Sequence, residues 1–173
     1  MEKDFWEKIS DNYDEEIHDV LKSDQKSIVT AHINRIASKQ KTVGDIGCAI
    51  GKWLPLLSGL FKEVHAIDIS QSNIDYAKTN HGHLKNIRFR QMDMTVNPKT
   101  RYSFDVIVCV NAILIPDYEK RQVFFKNLNR FLKPKGNLVL VVPAFESYLF
   151  SEFIIDRSNR KENIAPNEIK GKI

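Results

Sequence analysis

Val43-Gly44-Asp45-Ile46-Gly47-Cys48-Ala49-Ile50-Gly51-Lys52 decides the fold of this chain. It reads as a short strand, a glycine-bearing turn and the opening of a helix. Glycine lacks a Cβ and tolerates positive φ, so backbone at such a turn can approach a ligand closely. The helix that follows is expected to aim free N–H groups and its positive dipole end at whatever sits there. Asp68 ends a second apolar run, Val64-His65-Ala66-Ile67-Asp68, 17 positions past Gly51. In an open α/β sheet that spacing sets a carboxylate beside the same crevice, where it can accept from ribose hydroxyls. The residues thus point to an adenosine-type ligand at the carboxyl ends of parallel strands.

Working outward, the period of the apolar residues supplies the other elements. Before the turn, helical spacing of Phe5, Trp6, Ile9, Tyr13 and Ile17 predicts a helix from about Asp4 to Glu16. A second helix is expected from Asp24 to Ser38, capped by Ser23. Then come a strand at Thr42–Ile46, a helix at Lys52–Leu60 with Pro55 in its first turn, and a strand at Val64–Ile67. Ser70 caps a helix to about Asn80, and Ile87–Gln91 is a short strand. Phe104–Val110 is almost continuously apolar, the mark of a strand covered on both faces. Tyr118–Leu132 is an amphipathic helix with Val123, Phe124, Leu128, Phe131 and Leu132 on its apolar side, ended by Lys133-Pro134-Lys135-Gly136. Asn137–Val142 is a buried strand, and 146–157 a further helix. The alternation defines a doubly wound, Rossmann-like, mostly parallel α/β sheet with helices on both faces. The division expected is a helical cap over 1–40, an α/β core over 41–157 and a polar tail over 158–173, the cap and core forming one domain.

Composition sets the bounds. The chain has 173 residues, 42% hydrophobic and 28% charged, with net charge +4; this suits one ordinary globular domain. Lys and Arg are scattered, so nucleic acid is not the expected partner. Cys48 and Cys109 form no Cys-x-x-Cys pair and suggest neither a disulfide framework nor a zinc site. The start of the chain lacks the apolar core of a signal peptide, and no run approaches a membrane span, so the expected location is the cytoplasm.

Three carboxylates carry the functional reading. Asp45 stands at the end of the first strand, Asp68 at the end of the second, and Asp93 just past the third, in Arg88-Phe89-Arg90-Gln91-Met92-Asp93-Met94. One acid alone is close to chance; three in register aim at one rim of one sheet. A dinucleotide fingerprint, Gly-x-Gly-x-x-Gly, fails: from Gly47 the second glycine is Ala49 and the third is Lys52. Trp53 after Lys52 also excludes a Gly-Lys-Ser/Thr phosphate loop. The expected ligand is a nucleoside without a pyrophosphate.

In these residues the chain resembles the class I S-adenosylmethionine-dependent methyltransferases. Asp45-Ile46-Gly47-Cys48-Ala49-Ile50-Gly51 is similar to the family's acid-x-Gly-x-Gly-x-Gly motif, with Ala49 at the middle glycine. Asp68-Ile69-Ser70, Asp93-Met94, Phe104–Asn111 and Phe131–Leu138 resemble its later motifs, and Phe5–Ile9 with Tyr13-Asp14 its N-terminal covering helix. The resemblance spans roughly residues 5 to 150 and implies roles. Asp68 would take ribose hydroxyls and Ile69 pack on the adenine. Asp93 would accept from the adenine amino group, and Met94 would offer a backbone contact. Gly47, Cys48, Ala49 and Gly51 would line the methionine and ribose portion. Asp45 and Asn111 would sit near the amino acid end, with Tyr13 capping the pocket.

The implied activity is methyl transfer from S-adenosylmethionine to an unidentified acceptor, expected to be a small molecule. The alternatives are an inactive or incomplete cofactor-binding module, a partner subunit, or, less in keeping with the fingerprint, a nicotinamide oxidoreductase. Acceptor contacts are expected from 112–118 and 144–155, where Phe145, Tyr148, Leu149, Phe150 and Phe153 suit an apolar or planar molecule or cover for the sheet edge. No catalytic base is evident: His18, His32, His65, His81 and His83 are candidates by type only, and no metal site is expected. Five strands are legible, whereas the family usually adds a sixth and an antiparallel seventh. The fifth would then be a bare apolar edge. The chain is a fragment, or its tail, a second copy or a partner covers that edge.

Overall fold

The computed structural model describes residues 3–8 and 19–144 of the chain. Contacts divide the chain into two compact units, Met1–Val141 and Val142–Ile173. The sheet and the site lie in the first. Of the second, only Val142, Pro143 and Ala144 are described, all exposed. The expected helix over 146–157 and the tail over 158–173 lie outside the described residues, as do residues 9–18 of the first expected helix.

The described elements are α1 (Lys3–Lys8), α2 (Val20–Ser23), α3 (Ile28–Ile36), β1 (Thr42–Ile46), α4 (Leu54–Leu60), β2 (Glu63–Asp68), α5 (Gln71–His81), β3 (Ile87–Gln91), β4 (Phe104–Val110), α6 (Tyr118–Phe131) and β5 (Leu132–Val141). The strands form one five-stranded sheet in the order β3-β2-β1-β4-β5, and every pairing is parallel. Alternation along the strands divides the core between the two faces. On one face Val43, Val64, Ala66, Val106 and Val108 pack with Leu54 and Leu57 of α4 and Ile74 and Ala77 of α5. On the other, Ile46, Ile67, Ile107 and Cys109 pack with Phe124, Leu128 and Phe131 of α6. β4 is buried from both sides, hence its unbroken apolar run. The link from β3 to β4, residues 92–103, holds turns and no helix.

Two expectations are corrected by side chains that reach further than local spacing suggests. The helix expected over Asp24–Ser38 starts later, as α3 at Ile28, and a separate short helix, α2, precedes it; Ser23 ends α2 instead of capping α3. The cap of α3 is Asp24. Its Oδ1 accepts from Ile28 N at 2.7 Å, and its Oδ2 from Thr30 N at 2.9 Å and Val29 N at 3.1 Å. One carboxylate thus satisfies three of the four orphaned N–H groups of the helix start. Ser27, next to the helix, has φ 53° and makes no cap bond.

The second correction is at β5, which begins at Leu132 and not Asn137. Leu132 pairs with Phe104 and Asn137 with Val106, so Lys133-Pro134-Lys135-Gly136 is a bulge inside the ladder. Lys133 Nζ on Asp105 Oδ1 at 2.9 Å pins that bulge to β4. Leu138 and Leu140 on this edge strand are 39% and 37% exposed.

Candidate functional site

The strand order reverses between β1 and β4. In open α/β sheets ligands sit at such a switch point, outside the carboxyl ends of the strands. A cavity of about 490 Å³ opens there, within the range of small-molecule sites. Gly47 and Ala49 line it from the turn after β1, Asp68 and Ile69 from the end of β2, Asp93 and Met94 from beyond β3, and Asn111 from beyond β4.

The turn after β1 is wound by alternation. Gly47, Ala49 and Gly51 have φ of 79°, 46° and 90°. Glycine takes this left-handed region without strain, and Ala49 does so at a cost of about 1–2 kcal/mol. Ala49→Gly is therefore expected to stabilise the fold by about 0.5–1 kcal/mol once the extra entropy of an unfolded glycine is set against the relieved strain. A higher urea midpoint at unchanged slope is the expected readout; a lower midpoint would show that the alanine methyl is a needed packing contact.

The N–H groups of Gly47, Cys48 and Ala49 in this turn are already engaged within the fold. Gly47 N and Cys48 N both donate to Ile67 O, at 2.7 and 3.1 Å, and Ala49 N donates to Asp68 Oδ2 at 2.8 Å. The end of β2 thus holds the turn internally. Helix α4 starts only at Leu54, two residues later than expected. A turn with these donors occupied is poorly suited to a pyrophosphate, which needs them.

Asp68 is 7% exposed. Its Oδ1 accepts from Ser70 N at 2.9 Å while Oδ2 holds Ala49 N. A carboxylate oxygen can accept more than one hydrogen bond, and Asp68 is among the residues that line the cavity. Burial pushes the Asp68 pKa up, against the N–H groups of Ser70 and Ala49 that favour the charged form. Asp93 Oδ1 accepts both Thr95 N and Thr95 Oγ1, each at 2.7 Å, which fixes the carboxylate in a turn. Asn111 has φ 52°, a region asparagine tolerates, and its N–H donates to Val141 O at 2.8 Å.

Three of the residues singled out in the sequence are buried but not among those lining the cavity: Asp45, Cys48 and Gly51. Tyr13 lies outside the described residues. Asp45 is 2% exposed and its Oδ2 has no hydrogen-bond partner. Burial first, and the neighbouring Asp68 charge second, push its pKa up to about 7. A raised folded-state pKa means that Asp45 favours the fold most at acid pH, where it is neutral. That contribution is lost as pH rises from about 4 through 7. Asp45→Asn should therefore melt close to the parent protein at pH 4 and several degrees above it at pH 8. Parallel melting curves at the two pH values would show that Asp45 is not held neutral.

Leu114, Ile115, Pro116 and Asp117, inside the segment 112–118 expected to contact an acceptor, line the cavity, as does Trp6 of the expected covering helix. Asp4 of α1 and Lys120 and Phe124 of α6 also line it and carried no sequence signal as site residues. Asp117 also caps α6, accepting from Lys120 N at 2.9 Å. Asn127, buried in the apolar stripe of α6, donates from Nδ2 to Met94 O at 3.0 Å and to Val96 O at 2.8 Å. It ties the loop after β3 to α6. A lone polar residue three positions past Phe124 was the available clue. None of the described histidines lines the cavity; His65 packs instead on Tyr102 and Phe104, with ring centroids 5.3 and 5.2 Å apart.

A parallel sheet in this order, with a cavity at the switch point, defines a Rossmann-like α/β protein. The family model for a methyltransferase domain matches residues 43–136, more than half of the chain. Similar proteins include the ubiquinone biosynthesis O-methyltransferase of Coxiella burnetii, 31% identical over 122 residues covering 68% of this chain and 50% of that protein. The demethylmenaquinone methyltransferase of Staphylococcus haemolyticus is 27% identical over 167 residues, covering 87% and 67%. Among solved structures, a DhpI-SAM-HEP complex superposes with a TM-score of 0.68 at 22% identity, over 87% of this chain and 68% of that one. The chain belongs to the class I S-adenosylmethionine-dependent methyltransferase family. It spans about half the length of the Coxiella relative.

Proposed function

We propose that this chain binds S-adenosylmethionine in the switch-point cavity and transfers its methyl group to a small-molecule acceptor. The observation that carries the reading is Asp68: a buried carboxylate at the end of β2, held by Ala49 N and Ser70 N and lining the cavity. Such a group suits the two hydroxyls of a ribose. The rest of the cavity fits the same ligand. Asp93, fixed by Thr95, would accept from the adenine amino group, with Ile69 on the ring face and the backbone of Met94 at its edge. Gly47 and Ala49, with Cys48 and Gly51 shaping the turn behind them, would flank the ribose and methionine portions. The orphaned Asp45 oxygen puts acceptor capacity behind the turn, where a cationic amino acid end would favour the charged form of its carboxyl, with Asn111 beside it; Tyr13 is assigned to the cap.

Bound there, the cofactor would supply a methyl group on a sulfonium, already activated toward a nucleophile. The chain's own work is then alignment and exclusion of water. Trp6, Ile115, Pro116 and Phe124 give the cavity apolar walls, and Asp117 and Lys120 give it polar groups at the start of α6. A small-molecule acceptor is in keeping with relatives named for ubiquinone biosynthesis and for demethylmenaquinone. No helix among the described residues is long and apolar enough to cross a membrane.

Titration calorimetry with S-adenosylhomocysteine, alongside NADH, tests the reading. Saturable binding of the first and none of the second is expected. NADH binding with no response to the nucleoside would overturn it.

A further inference from the structure

We propose that Glu7 is a positioning residue that straps α1 across the mouth of the cavity by capping α5 from outside that helix. The inference rests on the cofactor reading of the cavity. The Glu7 side chain leaves α1 and accepts from donors at the start of α5. Oε1 accepts from Gln71 N at 2.9 Å, and Oε2 accepts from Ser72 N at 2.9 Å and from Ser70 Oγ at 3.0 Å. Helix starts expose such N–H groups and favour negative charge, and α5 already has its own cap in Ser70, whose Oγ accepts from Asn73 N at 3.1 Å. Ser70 serves Asn73 N, and Glu7 serves the neighbouring N–H groups of Gln71 and Ser72. In closing that turn from another helix, Glu7 also fastens α1.

The fastening point matters because of what stands on either side of it. Ser70 directly follows the Asp68-Ile69 pair at the cavity floor, and Ser70 N is itself held by Asp68 Oδ1. On the other side, Asp4 and Trp6 of α1 line the cavity. One carboxylate thus joins the ribose-facing end of β2 to the segment that walls the mouth. Slight burial raises the Glu7 pKa, but the backbone N–H groups of Ser72 and Gln71 outweigh it and hold the carboxyl down to about 2, so the strap stays charged at ordinary pH. A six-residue helix has almost no stability of its own in water. Its placement must come from contacts such as this one.

The strap makes two separable predictions. In the ligand-free protein, Glu7→Ala should speed tryptic cleavage after Lys8 several-fold, and Glu7→Gln, which keeps one acceptor oxygen, should fall between. In the presence of S-adenosylhomocysteine, Glu7→Ala should dissociate the nucleoside about five- to ten-fold faster, with the association rate little changed. The thermal midpoint is read on all three proteins to confirm that each is folded. Equal cleavage of the ligand-free proteins would overturn the strap whatever the cavity binds. Faster cleavage with unchanged dissociation would leave α1 fastened by Glu7 but overturn its part in holding the ligand. Absence of nucleoside binding in the parent protein would count against the cofactor reading, and the cleavage comparison would still decide the fastening.

Discussion

Asp68→Ala is expected to weaken S-adenosylmethionine binding by about 1.5–3 kcal/mol, the scale of a charge-assisted hydrogen bond lost at a buried site. In titration calorimetry this is roughly a 10- to 150-fold rise in Kd. The variant loses more than its ligand contacts. Ala49 N and Ser70 N are left without their acceptor, so the turn after β1 loosens as well. Asp68→Asn separates the two effects. It keeps an oxygen for one of those N–H groups but removes the charge, so it should retain more of the melting temperature than of the affinity. Equal affinity in the parent and Asp68→Ala proteins would remove this residue from the ligand site.

Gly47→Ala should cost about 2–4 kcal/mol of stability, because left-handed backbone and overpacking are paid together. The residue has φ 79°, and a Cβ there would stand 2.2 Å from the Cβ of Ala112. The contact joins the loops after β1 and β4 at the switch point. Relief must push them apart and spoil the cavity, so nucleoside affinity should fall with stability. Gly59→Ala is the matched control. Nothing lies within 4 Å of a Cβ at that helical position, and the same chemical change should stabilise by about 0.5–1 kcal/mol. Denaturation midpoints that move in the same direction for both variants would contradict the assignment.

The elements read most closely from sequence are those whose apolar pattern is local. β1, β3 and β4 occupy the residues expected of them, because strands buried on a parallel sheet write unbroken runs between polar turns. The acids at 68 and 93 were legible because a strand end fixes where the next residue lies. What was not legible depends on side chains that cross the fold. Asp24 caps a helix from four residues upstream, Glu7 caps one 64 residues away, and Asn127 reaches 33 residues back to Met94. No periodicity records such bonds. The bulge in β5 was hidden for a related reason: Lys-Pro-Lys-Gly has the chemistry of a stop, and only pairing of Leu132 with Phe104 carries the ladder past it. The state of Asp45 depends on burial and on the nearby Asp68 charge, neither of which its motif discloses.

The Asn127 amide has a consequence for how this protein could change its chemistry. It clamps the wall that would face adenine to the helix whose first turns would face an acceptor. A mutation that re-aims that helix to welcome a new acceptor drags the adenine wall along with it. Selection for a new substrate in this scaffold should therefore bring compensating changes at 94–96, or variants that gain the new reaction while losing their grip on the methyl donor.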